Sequence, residues 1–234
     1  SGIPEIKTIL GGFVMKGFLG ARTLVIKSVA LVLSIASGMG VGLEAAYIHI
    51  ACCVANVSAR FFSKYATSEV KKRELLSGAA AAGISVAFGA PVGGVLFSLE
   101  EVSSHFPPKT MWRSFFCASA AVLAMEQFNP INGGKLVMFE VTFHHHWKLF
   151  ELLFFALLGA VGGLVGAVFI RLNSAVVRFR RTSQLKKWPL TEVALATLVV
   201  GAVNYPSFFL RQDSLQLLST LFGDCKHLPP AGRA

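Results

Sequence analysis

The chain has 234 residues, of which 54% are hydrophobic and only 15% charged, and its formal net charge is +10. A soluble domain normally has about 25% charged residues, so this composition argues against one. A bilayer core needs roughly 20 mainly apolar residues per helix. Four stretches of nearly uncharged sequence therefore predict a multi-pass membrane protein: residues 28–59, where Glu44 is the only charged residue, and residues 75–99, 152–170 and 193–210.

The apolar pattern predicts a helical chain with several interruptions. Pro4 suits the first turn of a helix. Pro91 divides a later helix into two halves, because proline lacks a backbone donor and clashes with the preceding turn. Gly89 and Gly93 have the four-residue spacing that lets helices approach closely in lipid. The predicted helices cover residues 6–18, 23–37, 44–62, 74–101, 112–125, 147–173 and 190–205.

Three interruptions fall within otherwise apolar sequence, at residues 1–5, 38–46 and 89–94. In lipid, irregular backbone survives only where it lines a cavity or is buried in protein. Helices interrupted by glycine or proline mark substrate sites near the midplane of transporters. The sequence therefore predicts broken or re-entrant helices around a substrate site.

Glu44 is the strongest single functional signal. A charged residue at the centre of a membrane helix costs about 2.5–3.5 kcal/mol on insertion scales, and such residues are usually functional. Glu44 stands at a predicted helix start, where unpaired N–H groups attract anions. Its carboxylate can occupy an anion site and leave when protonated, which predicts a proton-sensitive gate. The alternative is a glutamate paired with a neighbour or protonated in place.

Two further polar groups stand beside apolar segments. Ser1, Gly2 and Ile3 precede a helix start, where a hydroxyl and backbone N–H groups can hold a halide, although the spacing alone favours an ordinary helix cap. Glu100 and Glu101 end an uncharged run. They are either the entrance of a proton relay or a solvated helix end, and the sequence leaves both interpretations open.

The remaining charged and metal-binding residue types favour no other activity. Basic clusters at residues 71–73 and 178–187 directly flank apolar stretches, which favours loops beside membrane helices over nucleic-acid binding. No cysteine pair has zinc-ligand spacing. The three histidines at residues 144–146 are interpreted as an interfacial loop rather than a metal site. No nucleophile–base pair or metal constellation points to an enzyme, and no nucleic-acid partner is expected.

Two segments carry a resemblance to a known family. Residues 1–5, Ser-Gly-Ile-Pro-Glu, resemble the G-S-G-I-P-E motif of CLC chloride channels and chloride/proton exchangers. Residues 89–101, Gly-Ala-Pro-Val-Gly-Gly-Val-Leu-Phe-Ser-Leu-Glu-Glu, are similar to the family segment that ends in its internal proton glutamate. Residues 49–53, 150–152 and 159–173 resemble the eukaryotic intracellular, fungal-like branch.

The resemblance implies an all-α polytopic membrane fold with broken helices. Residues 1–126 would form most of the first inverted repeat of the family, and residues 127–234 a linker and the start of the second. The family's G-x-F-x-P segment, late anion-coordinating tyrosine and cytoplasmic nucleotide-binding modules are not matched. The chain also begins inside a motif, so it is expected to be a fragment.

The resemblance also assigns roles to individual residues. Glu44 matches the external gating glutamate and Glu101 the internal proton glutamate, which family channels usually lack. The anion-binding residues would be Ser1, Gly2, Ile3, Gly42, Ala45 and Ala46.

The gate motif departs from the family pattern G-K/R-E-G-P, reading Gly-Leu-Glu-Ala-Ala over residues 42–46. Leu43 removes a positive charge that would help to draw anions. Ala45 and Ala46 replace the flexible glycine and the helix-starting proline, so the backbone amides that face the anion would be placed differently.

The leading hypothesis is a subunit portion of a Cl⁻/H⁺ exchanger that carries chloride and protons without a cofactor. The alternatives are a passive voltage-gated chloride channel and a truncated chain that only associates with full-length subunits. The resemblance implies a homodimer formed through the transmembrane domain, in the bilayer of an intracellular compartment such as the Golgi, an endosome or a vacuole.

Overall fold

The computed structural model describes residues 2–38, 41–103, 107–128, 148–183 and 188–207, with residues 210, 212, 217, 218 and 221. The regular elements within these ranges are all helical. The chain divides into two compact units, Ser1–Glu140 and Val141–Ala234. The predicted division into repeats at residues 126 and 127 stays a prediction.

Unit 1 contains seven of the described helices and one π-helical turn. The π-helical turn covers Ser98–Val102 and follows directly on the sixth helix. The helices are α1 Ile3–Leu10, α2 Ala21–Ala36, α3 Glu44–Ala59, α4 Ser63–Ala66, α5 Glu69–Phe88, α6 Pro91–Phe97 and α7 Pro108–Phe128.

Several helix boundaries differ from the predicted ones for local reasons. The first helix ends at Leu10 rather than near residue 18, because Gly11 caps it and Gly12 takes a positive φ of 111°. α5 begins at Glu69, five residues before the predicted start, since its first turns are built from good helix formers such as lysine, arginine and glutamate.

The centre of α5 forms the core of unit 1. Ten consecutive residues, Leu76 to Ser85, are buried, so this helix is covered on all sides by its neighbours α3, α6 and α7. Its small side chains let the neighbouring backbones approach closely. From α3, Ile48, Cys52 and Cys53 are fully buried in the same cluster.

Gly83 is a point of close approach between α5 and α3. A Cβ added there would lie 2.9 Å from the Tyr47 carbonyl oxygen and 3.0 Å from the Ile48 Cα, which are backbone atoms that cannot move aside. The predicted pair Gly89 and Gly93 does not play this part, since a Cβ on Gly93 would make only an ordinary contact with Ala90 at 3.6 Å.

Gly83→Ala is therefore expected to destabilise the protein by about 1–3 kcal/mol, as overpacking does in a close-packed core. Gly93→Ala is the matched control, because its Cβ makes only an ordinary contact and alanine favours a helix by up to about 1 kcal/mol over glycine. Thermal unfolding of the full-length protein in detergent measures both changes. Equal melting temperatures for the two variants would contradict the packing described for Gly83.

The predicted break at Pro91 is present and its backbone groups are satisfied. Gly89 ends α5 in the left-handed conformation with φ 64°, where an L side chain is strained. The Ala90 N–H donates to the Ser85 carbonyl at 3.1 Å, and Pro91 then starts α6. This turn directs α6 and the π-helical turn back along α5, which places Glu100 and Glu101 at the end of the hairpin.

Unit 2 contains α8 Glu151–Thr182 and α9 Pro189–Asn204. Among the described residues, α8 is the helix long and apolar enough to cross a membrane, with a mean hydropathy of 2.5 over its most apolar window. Its 32 residues correspond to about 48 Å, more than the roughly 30 Å of a bilayer core. The last turn of α8 contacts α9 through Arg180, whose guanidinium donates to the Glu192 carboxylate at 2.5 and 2.8 Å.

Candidate functional site

The starts of α1 and α3 lie against each other. Gly2, which precedes α1, is buried, and a Cβ added to it would overlap the carbonyl oxygen of Ala45 and lie 3.2 Å from the Ala45 Cβ. Two helix N-termini, each with unpaired N–H groups and positive partial charge, therefore meet at one point. This juxtaposition brings together sequence-predicted residues that are more than 40 positions apart in the chain.

At the start of α1, one predicted amide is already occupied. The Gly2 N–H donates to the Glu5 carboxylate at 2.9 Å, and the helix ladder begins with the bond from Ile6 N–H to the Gly2 carbonyl at 3.0 Å. Pro4 has no N–H. The Ile3 amide therefore precedes the ladder and is the first candidate on this helix for an anion.

At the start of α3, the helix forms without the proline of the family motif. The first ladder bond runs from the Tyr47 N–H to the Leu43 carbonyl at 3.0 Å. The amides of Glu44, Ala45 and Ala46 precede it and have no acceptor within the helix. The alanines thus keep the arrangement that a helix N-terminal anion site requires.

The Glu44 side chain turns back over the start of its own helix. Its Oε2 lies close enough to Gly42 that a Cβ there would be 2.8 Å away, and the residue is half-buried. A carboxylate in this position is stabilised by the positive end of α3. It stands at the anion-attracting end of the helix rather than along its side.

Glu101 lies elsewhere in unit 1, in the π-helical turn. Its side chain is exposed by 54%, and its Oε1 is 3.4 Å from the Nζ of Lys7. Lys7 is five residues after Gly2 on α1, which corresponds to about 7.5 Å along the helix axis. α1 therefore connects the meeting point of the helix starts with the glutamate at the exposed end. Glu100 is exposed beside it.

Two of the predicted features lie outside the described residues. These are Ser1, expected to coordinate an anion, and the histidines at 144–146, expected to form an interfacial loop. Within the described part of the chain, no group of three or more histidine, cysteine or acidic residues is placed to hold a metal.

Lys27 and His49 were missed at the sequence level. His49 is 2% exposed, and its two ring nitrogens contact the Nζ of Lys27 at 2.6 Å and the Phe18 carbonyl oxygen at 3.0 Å. The available signal was a lysine inside the predicted apolar helix 23–37 and a histidine in the stretch 28–59, whose only charged residue is Glu44. An intramembrane ionisable residue points to function by default.

Comparison with known proteins finds relatives of one family over nearly the whole chain. The profile of the family described as "Voltage gated chloride channel" matches residues 1–230. The "H(+)/Cl(-) exchange transporter 5" proteins of Cavia porcellus and Homo sapiens are both 53% identical over 225 residues, or 96% of this chain. The "H(+)/Cl(-) exchange transporter 3" of Pongo abelii is 52% identical over the same length.

A solved structure has the same fold. The crystal structure of a eukaryotic CLC transporter superimposes with a TM-score of 0.72 and 30% sequence identity, covering 88% of this chain and 36% of that one. The chain spans 30% of the length of the Cavia porcellus relative and 28% of the human one.

Proposed function

Because the chain belongs to the voltage gated chloride channel family, and is therefore a membrane protein, we propose that it forms part of a proton-coupled chloride exchanger. The observation that carries this proposal is the contact between the starts of α1 and α3 at Gly2 and Ala45, with the Glu44 carboxylate on the same helix end. The relatives named as exchange transporters support the choice of exchange.

Chloride binds at the meeting helix starts. The amides of Ile3, Ala45 and Ala46 precede their helix ladders and supply donors without a full positive charge. The Ser1 hydroxyl is proposed as an additional donor on the strength of the motif alone. Such a site binds chloride weakly enough to release it, since it offers partial charges rather than an ion pair.

Glu44 is proposed as the gate of this site. Ionised, its carboxylate competes with chloride for the positive end of α3. Protonated, it loses its charge and with it the attraction to the N–H groups, so chloride enters as the side chain leaves. The same event loads a proton onto Glu44, which ties proton movement to chloride movement.

Glu101 is proposed as the proton acceptor at the other end of the pathway. Its half-exposed carboxylate is open to solvent, and its ion pair with Lys7 contributes little energy because both groups are exposed. Protons taken up from solvent pass by Glu101 first and then by Glu44. Lys7 holds the carboxylate beside the helix that leads to the gate.

A reconstituted full-length protein tests this function. Liposomes loaded with chloride and supplied with a potassium shunt are diluted into low-chloride medium, and external chloride and pH are recorded together. Exchange predicts chloride efflux with alkalinisation of the medium, because protons enter as chloride leaves. Chloride efflux at constant pH would indicate the passive channel. Absence of both fluxes would overturn transport by this protein.

The assembly and location belong to the same proposal. We expect a homodimer in a lipid bilayer, with an ion pathway in each subunit, in an intracellular compartment such as the Golgi, an endosome or a vacuole. Support comes from the resemblance of residues 49–53 and 159–173 to the intracellular branch of the family.

Gly2→Ala is expected to weaken chloride binding roughly tenfold or more, because one misplaced methyl between the helix starts separates donors that must converge on one ion. Gly20→Ala is the control, since a Cβ there meets its nearest neighbour at an ordinary 3.5 Å. Isothermal titration of chloride into the full-length protein in detergent measures both. Equal affinity in the two variants would contradict an anion site at the Gly2–Ala45 contact.

A further inference from the structure

A buried hydrogen-bond chain joins α2, α3 and the segment before α2. The His49 ring is almost fully buried and stacks on Phe18 with a centroid distance of 4.2 Å and an interplanar angle of 14°. Its Nε2 lies 3.0 Å from the Phe18 carbonyl oxygen, and its Nδ1 lies 2.6 Å from the Nζ of Lys27.

The direction of each bond in this chain follows from its end groups. A carbonyl oxygen only accepts, so His49 Nε2 carries the hydrogen and donates to Phe18. Nδ1 then keeps its lone pair, and Lys27 donates to it. The imidazole is thus neutral, and it holds the lysine amino group at a fixed position on the face of α3.

The Lys27 amino group is held next to the point where the starts of α1 and α3 meet. His49 follows Ala45 by four residues on α3, so the two share a helix face about 6 Å apart along the axis. Ala45 is the residue against which Gly2 packs. The Lys27 amino group therefore lies beside the site proposed for chloride.

The gate itself supplies no positive charge on its flank, because the residue before Glu44 is the uncharged Leu43. We propose that Lys27 supplies the positive charge that draws chloride to the starts of α1 and α3, and that His49 is a positioning residue that holds Lys27 there through Nδ1. This inference rests on the proposed anion site, but not on proton coupling.

Two substitutions of His49 separate its two contacts. Asparagine places an acceptor where Nδ1 stands and leaves nothing to reach Phe18. Glutamine places a donor where Nε2 stands and removes the acceptor at the position of Nδ1. If His49 positions Lys27, His49→Asn keeps the chloride affinity of the unmodified protein and His49→Gln lowers it. A role limited to the Phe18 contact gives the reverse order.

Chloride titration of the full-length protein in detergent provides the measurement. Lys27→Met is expected to weaken chloride binding roughly tenfold, the effect of one charge about 10 Å from the anion at an effective dielectric constant near 20. Lys27→Gln, which keeps a donor toward Nδ1 but removes the charge, is expected to do the same if the methionine variant fails to fold. His49→Gln is expected to weaken binding in the normal background and to add nothing in the Lys27→Met background.

Unchanged affinity in Lys27→Met or Lys27→Gln would overturn the inference, as would an equal loss from His49→Gln in both backgrounds. A protein that binds no chloride at all would overturn it together with the anion site. A protein that shows the Lys27 dependence but moves no protons leaves the inference standing, and only the exchange function fails.

Discussion

Glu44→Gln is expected to abolish proton movement while chloride efflux continues. The amide has nearly the shape of the carboxylic acid but cannot carry a proton, so the gate stays in its uncharged form and no longer competes for the positive end of α3. Liposomes containing the full-length protein, with simultaneous chloride and pH recording, measure the change. The external pH trace should match that of protein-free liposomes while chloride still leaves.

Glu69→Gln is the control for this substitution. Glu69 is an exposed glutamate in the first turn of α5, where its carboxylate lies 3.7 Å from the Nζ of Lys72. Its loss should leave both fluxes unchanged, since exposed pairs of this kind contribute at most about 1 kcal/mol. Proton movement that persists in Glu44→Gln would remove the gate assignment, whatever its effect on chloride.

Much of the architecture could be predicted from the sequence, because apolar length and helix-breaking residues determine it directly. The predicted helix 23–37 corresponds to α2, the helix from Glu44 to α3, and the break at Pro91 to the turn between α5 and α6. The predicted all-α CLC membrane fold and family are confirmed by the family match and the solved eukaryotic transporter. The long motifs indicate the family and the fold because each glycine or proline in a broken helix is required there for a steric reason.

Only part of the candidate site could be predicted from the sequence. Glu44 could be found because one charge in an uncharged run is costly in lipid. The family resemblance placed Gly2 and Ala45 in one anion site, but their direct contact depends on how α1 packs on α3 and could not be predicted. The Lys27–His49 pair has the same origin: two isolated residues 22 positions apart become one unit only through the packing of α2 on α3. The roles of these residues stay predictions.

Glycine packing shows the limit of spacing rules most clearly. The four-residue spacing of Gly89 and Gly93 suggested a close helix contact, but Gly89 is used for its left-handed conformation and Gly93 is exposed. The close approaches instead involve Gly83 and Gly94, where an added Cβ would meet atoms of α3 and of Ser85. A glycine serves a turn or a contact depending on its three-dimensional neighbours, and the spacing alone does not separate the two uses.

Glu101→Val is expected to stop proton movement and to leave chloride movement close to that of the unmodified protein. Valine cannot accept a proton from solvent, but it lies at the Lys7 end of α1, away from the helix starts that are proposed to bind chloride. The two fluxes should therefore separate in the liposome recording, with chloride efflux at constant external pH.

Glu100→Val is the matched control for Glu101, because the two glutamates are adjacent and both exposed, while Lys7 pairs with Glu101. Its chloride and proton fluxes should both persist. Lys7→Met removes the ion pair with the Glu101 carboxylate. If this pair orients Glu101 toward α1, proton movement slows without stopping. Equal proton loss in Glu100→Val and Glu101→Val would mean that the local negative charge matters rather than a specific proton acceptor. Since valine at position 101 leaves the Gly2–Ala45 contact intact, any loss of chloride affinity in Glu101→Val would place the glutamate in the anion pathway instead.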